Sequence, residues 1–342
     1  MNRRTLIGTS VMLATPVLAG CSSDGQNQSE PSGDDSENES ESVNSEQGPV
    51  GPADAVEHYD KAIELLGKNA EVFNEVRQEL LLEGSTVEFS SSEVKSRTSE
   101  ARSQLDSAEQ DDDGSLSDHI DAMRVLASYQ DSLADYNEEY LRLTSLVNTG
   151  VDEYFDGQHQ SAIDILQEAQ EQISPTRSSL EEVGEKLDEV LEAAEVADLS
   201  DQYKEEMLVA GDQFAEVQEE LAWLNQIVPA RIAEVEGDRA FELGTNAFDN
   251  EEYGTARSHY ADSENHFVSA ETHLDNLQVQ EITSYIEELV SDAESLNCEY
   301  RHSSNASDEM VQASEAMENN QSEQANQHIE AANTQLSKID TC

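Results

Sequence analysis

An all-α fold is predicted by three observations. After Pro52 the apolar residues recur at alternating steps of three and four, the spacing of an amphipathic helix. Over the same stretch, to residue 342, only Pro175 and Pro229 interrupt the chain. No segment alternates with period two for long enough to argue a sheet; Ser85 to Ser92 comes nearest and reads as a loop. The expected architecture is an elongated antiparallel array of helical hairpins, a coiled-coil-like bundle in its seams. With 1 Trp, 10 Tyr and 7 Phe among 342 residues, a thin core is better supplied than a compact globule.

The chain begins differently. Arg3 and Arg4 are the only charges before Cys21, and Thr5 to Ala19 is apolar or small and too short to span a bilayer as a mature helix. Residues 1–20 therefore read as a signal peptide. Leu18-Ala19-Gly20-Cys21 resembles the lipobox of bacterial and archaeal lipoproteins, and Arg3-Arg4 followed by Thr5-Leu6-Ile7 is similar to a twin-arginine signal. The lipobox resemblance implies that the Cys21 thiol carries a diacyl lipid and starts the mature chain, on the outer face of the cell membrane. An ordinary secretory signal with an incidental arginine pair remains the alternative for the export route.

Residues 21–52 come next as a tether. From Ser22 to Pro52 there is no Lys, Arg or aromatic residue and only two valines as strongly apolar side chains, so no core can form. A flexible chain of this length spans roughly 30 Å root-mean-square.

The whole chain carries 75 acidic against 18 basic residues, a net charge of -57. Such a surface repels nucleic acid and anionic lipid, because phosphate binding needs clustered Lys and Arg. It also opposes compaction at low ionic strength, whereas near molar salt the Debye length is only about 3 Å. In this the composition resembles secreted proteins of halophilic archaea.

The helical domain, 53–342, is expected to begin with the seam Val56, Tyr59, Ile63, Leu66, Ala70, Phe73. Gly84 to Ser92 then separates it from a second helix near Glu93 to Glu109, and Asp111-Asp112-Asp113-Gly114 separates that from a third beginning near Ser117. Three acids in a row suggest calcium, but the EF-hand order is absent and a solvated loop is expected. Longer seams follow: Leu126, Tyr129, Leu133, Tyr136, Tyr140, Leu143, Val147; then Leu180, Val183, Leu187, Val190, Ala194; then Phe214, Val217, Leu221, Leu224, Val228. Ser174-Pro175 reads as an N-cap with proline at the first helical position, so a helix boundary is expected there. At Pro229, which no cap precedes, a kink is expected. A subdivision into 53–114, 115–298 and 299–342 follows from these breaks.

One hairpin recurs. Residues 150–169 and 244–263 align without a gap, Gly150 on Gly244, Gly157 on Glu251, His159 on Tyr253, Ala162 on Ala256, Leu166 on Tyr260 and Ala169 on Ser263. A weaker copy runs through Met317, Asn319-Asn320, Ala325, Ile329 and Ala332. This spacing resembles the tetratricopeptide repeat, in which small residues let two helices approach closely, and Pro175 falls near that repeat's closing proline. The good copies stand 94 residues apart rather than 34, so no contiguous tandem array is visible.

Cys298 and Cys342 are equidistant from Asn320, the turn of the last hairpin, which would bring them side by side at its open end. A disulfide is expected there, with two unrelated thiols as the alternative. Sequons begin at Asn27, Asn38, Asn305 and Asn320.

No nucleophile elbow, metalloprotease, nucleotide-loop or dinucleotide motif is present, and the expectation is no enzyme and no cofactor. His259, His266 and His273 form a heptad file, but residues seven apart are about 10.5 Å apart along a helix, too far to share an ion. Asp262 with His266, at i and i+4, could chelate, and Glu299 with His302 is one Glu-x-x-His pair where a di-iron bundle needs two plus two further glutamates, so no metal is expected. Two functions stay open. The first is a scaffold lipoprotein that binds another envelope protein through the hairpins, with Tyr253 and His159 exposed on them. The second is a solute- or metal-binding accessory lipoprotein for uptake, in which Trp223 and nearby Tyr203 or Phe214 line a pocket.

Overall fold

The computed structural model describes residues 51–83, 89–275 and 284–342. The expected signal and anchor residues Arg3, Arg4, Leu18, Ala19, Gly20 and Cys21, the sequons at Asn27 and Asn38, and most of the tether lie outside the described residues.

Among the described residues the chain forms eight α-helices and no strand: α1 (Ala53–Glu83), α2 (Ser91–Asp111), α3 (Ser117–Phe155), α4 (His159–Val196), α5 (Asp201–Asp249), α6 (Tyr253–Asp275), α7 (Ser284–Glu318) and α8 (Ser322–Ile339). Each packs chiefly on the next along the chain, while α1 also touches α3 and α5 also touches α7. The protein is thus an all-α array of helical hairpins. No described helix is long and apolar enough to cross a membrane.

The seams supply the core. Tyr59, Leu66, Ala70 and Phe73 on α1 are buried, as are all seven seam residues of α3 from Leu126 to Val147 and all five of α4 from Leu180 to Ala194. Removing such apolar surface from water contributes roughly 1.5–3 kcal/mol per large side chain, which offsets the ordering of a chain with few aromatics.

Four turns share one geometry. Gly157, Glu251 and Asn320 occupy the matching position of the three hairpins, and each has left-handed backbone, φ 77°, 62° and 58°; Asp198 between α4 and α5 does the same at 49°. In each, the amide of that residue donates to the carbonyl three back, and the next amide to the carbonyl five back, as Gly157 to Tyr154 and Gln158 to Glu153 (both 2.9 Å). This is the Schellman C-cap, which satisfies the last carbonyls of the preceding helix. Only at Gly157 does the residue type suit the angle without strain.

Pro175 corrects the expected boundary. It does not start a helix; α4 runs through it without a break. Ala169 and Ile173 before it and Thr176, Leu180 and Val183 after it lie buried on one face against α3. A break would put the second half out of register, and the burial at stake exceeds the roughly 3 kcal/mol that an interior proline costs. Pro229 likewise lies inside the 49-residue α5. The expected division between 298 and 299 falls within α7.

The small residues of the hairpins set interhelical distance. A Cβ built on Gly150 would stand 2.7 Å from Leu166 Cγ, and one on Gly244 2.8 Å from Tyr260 Cδ1, whereas one on Gly67, inside α1, meets nothing within 4 Å. Gly67→Ala is therefore expected to raise stability by about 0.5–1 kcal/mol, through helix propensity. Gly150→Ala is expected to lower it by about 1–3 kcal/mol through overpacking. Urea titration of the two variants checks this, and equal signs would refute the close-approach account.

Candidate functional site

The residues singled out in the hairpins are structural. Ala162, Ala169, Ala256 and Tyr260 are fully buried, Gly150 lies over Leu166 and Gly244 over Tyr260, so they face the partner helix and not an outside molecule. Tyr253 and His159 are half-buried, not exposed. The Tyr253 ring stands edge-on to Phe248 at 5.2 Å, and His159 Nδ1 lies 3.6 Å from a Glu242 carboxylate oxygen.

A cleft of about 370 Å³ opens instead where the end of α3, the middle of α5, α6, α7 and the segment after α8 meet. Trp223 lines it and is 5% exposed. The companions expected for Trp223 are corrected: Phe214 packs over Gly184 and Tyr203 sits near the start of α5, both away from the cleft. Its aromatic neighbours there are Tyr154, Phe155, Phe267 and Tyr300.

Charge in the cleft is organised around α5. The seam Val217, Leu221, Leu224, Val228 continues at the same three–four step to Arg231, Val235 and Asp238, so two ionisable groups occupy positions that elsewhere hold apolar residues. Arg231 Nη1 donates to Glu234 Oε2 at 2.6 Å, and the Tyr300 hydroxyl donates to the same oxygen at 3.0 Å; all three residues are buried. The Tyr154 hydroxyl donates to Asp238. Burial opposes the Arg231 charge, but the Glu234 carboxylate outweighs it and holds the guanidinium above its ordinary range. Burial, then the Glu234 and Asp238 carboxylates, pushes the Tyr154 hydroxyl far up. Burial, then Glu234, does the same to Tyr300. Among the described residues Arg231 Nε and Trp223 Nε1 meet no acceptor.

Asp238 is displaced in the direction that matters near neutrality. Burial, with Glu234 and Glu242 adding repulsion and the Tyr154 hydrogen bond opposing, raises its carboxyl to about 7. A folded-state value above the unfolded one means that the fold binds the extra proton. The stabilisation is complete below the unfolded value of 3.8 and is lost as pH rises through about 7. The melting temperature is expected to fall between about pH 4 and pH 7, with a loss of about 2 kcal/mol after discounting for partial solvent access. Asp238→Asn should flatten that slope in thermal melts at fixed salt; an unchanged slope would remove Asp238 as its source.

Cys298 and Cys342 are joined by a disulfide between α7 and the segment after α8, and Cys342 forms part of the cleft wall with Ile339 and Asp340. His302 stands beside the two sulfurs, the three potential ligand atoms lying within 4.8 Å of one another, with His302 Nδ1 3.0 Å from Gln335 Oε1. With the sulfurs bonded to each other, this group has no thiolate to offer. His259, His266 and His273 join no group of three potential ligands among the described residues; His266 pairs with Glu236 at 3.2 Å.

What sequence reading missed is the cleft: Tyr154, Arg231, Glu234, Asp238, Glu299 and Tyr300 were not singled out as a group. The available signal was the charge on the α5 seam. Compared with known proteins, the chain matches no family, and no characterised protein or solved structure is similar to it.

Proposed function

We propose that the protein is a non-enzymatic binding module, held on the outer face of the cell membrane by a lipid on Cys21, that captures a small ligand in the cleft between α3, α5 and α7. The observation that supports this reading is the cleft itself. Its volume of about 370 Å³ lies in the range of small-molecule sites, and aromatic walls surround a buried charged pair. The hairpin residues first considered for contact with a protein are used up in helix packing. A docked envelope protein remains the second reading, favoured by Phe155, which is 40% exposed at the cleft.

The chain has one tryptophan, and it lines the cleft, so tryptophan emission, excited at the red edge where the 10 tyrosines do not absorb, reports on this site alone. Titrating the full-length, detergent-extracted protein with a low-molecular-mass cell extract is expected to shift its emission saturably. No shift, with an envelope protein crosslinked at Phe155, would replace the small-ligand reading by the second one. For the anchor, Cys21→Ser is expected to release the protein from membranes into the medium; continued membrane retention would overturn the lipid reading.

A further inference from the structure

The chemistry of the cleft walls narrows the ligand class, an inference that rests on the small-ligand reading above. Among the described residues Arg231 is the only cationic side chain lining the cleft, and its charge is already matched by Glu234 at 2.6 Å. Beyond that pair and Asp238, the walls carry the carboxylates of Asp292, Glu299 and Asp340, so the cleft is negative overall and repels an anion. The rings of Trp223, Phe267 and Tyr300 stand in the same walls. Aromatic faces and carboxylates together attract one class of guest, an organic cation, since the ring quadrupole and the acids act in the same direction. The acids alone would serve a bare metal ion as well, but such an ion needs a shell of oxygen ligands that the aromatic residues displace, whereas the rings suit the carbon-bearing surface of an alkylammonium group.

A second observation concerns hydrogen bonding. Trp223 Nε1 and Arg231 Nε belong to side chains at least nine-tenths buried at the cleft, and neither donor has an acceptor among the described residues. A buried donor left without a partner carries its full desolvation penalty, so such groups are normally satisfied. Both nitrogens are closed to solvent as they stand, so a small rotation of either side chain brings them to an acceptor atom on the guest, which supplies what the described residues lack.

We infer that the cleft binds a small ammonium compound that carries its own hydrogen-bond acceptor, the cationic end among the aromatic rings and the Glu299 side, and the acceptor toward Trp223 and Arg231. The test uses Trp223 emission of the full-length protein at fixed sodium chloride concentration, with four probes: choline, ethanolamine, tetramethylammonium, and 3,3-dimethyl-1-butanol, the uncharged carbon isostere of choline. Saturable shifts are expected with choline or ethanolamine, weaker binding with tetramethylammonium, which has no acceptor, and none with the isostere. Glu299→Gln is expected to weaken ammonium binding about tenfold, the scale of one cation contact, while Asp118→Asn, at the distant start of α3, leaves it unchanged.

An isostere as effective as choline would overturn the inference by showing an apolar site. Absence of any response to the three ammonium probes would overturn it as well. In that case a persisting shift with the cell extract keeps the small-ligand reading and discards only the ammonium class, whereas loss of both discards the two together.

Discussion

Replacing Cys298 and Cys342 together by serine is expected to lower the unfolding free energy by about 4 kcal/mol, the chain-entropy value for a loop of this size. The bond closes a separation of 44 residues that contains all of α8. That helix has little else to hold it, for its only buried residues are Ala325 and Ala332, two small side chains. The effect should therefore approach the full entropic value, and the C-terminal arm should respond before the rest. Guanidinium unfolding of oxidised protein, reduced protein and the double variant measures it, with hydrogen exchange locating the loss in α7 and α8. Equal midpoints would show that α7–α8 packing alone fixes the arm. Because Cys342 stands in the cleft wall, the same variant is also expected to weaken whatever the cleft binds.

Arg231→Met is expected to be about as costly, about 3–5 kcal/mol. Its side chain is 10% exposed and that of Glu234 9%, so removing the guanidinium leaves a carboxylate buried with, among the described residues, the Tyr300 hydroxyl to support it. The double variant Arg231→Met with Glu234→Leu should recover most of the loss, because an apolar pair of similar volume needs no desolvation of charge. Urea titrations of the two single variants and the double variant form a cycle, and the expected result is strong non-additivity. Additive losses would mean that the pair is no unit and that each residue is held by other contacts.

Much of the fold was legible because helix packing is written locally. Every three–four seam from Tyr59 to Val228 lies on a buried face or against one, and the turns near Asp111 to Gly114, Gly157, Glu251 and Asn320 stand where turn residues or the end of a repeat place them. Pro175 was misread because Ser-Pro is a local boundary signal, and here continuity of the α4 face against α3 prevails over it. The small residues of the hairpins were seen correctly as close-approach positions, yet close approach is also what removes them from any outside contact. The cleft escaped because its walls come from Tyr154, Trp223 to Asp238, Phe267, Asp292 to Ser303 and Ile339 to Cys342, segments with no common spacing. Trp223 was read from the sequence as a pocket residue, but beside Tyr203 or Phe214, which lie elsewhere; beyond it only the ionisable seam positions Arg231 and Asp238 marked the place.

Packing between successive helices also bears on how quickly the chain finds this arrangement. With each helix meeting its main partner next along the chain, the loops to be closed are short and the entropy spent on closing them is small. Chains of such low contact order fold in microseconds to milliseconds, hairpin by hairpin, faster than a ribosome adds a residue. The pairings among α1 to α6 need no residue of α7 or α8, so the cross-link between Cys298 and Cys342 secures an arm added to an arrangement that the earlier helices define without it.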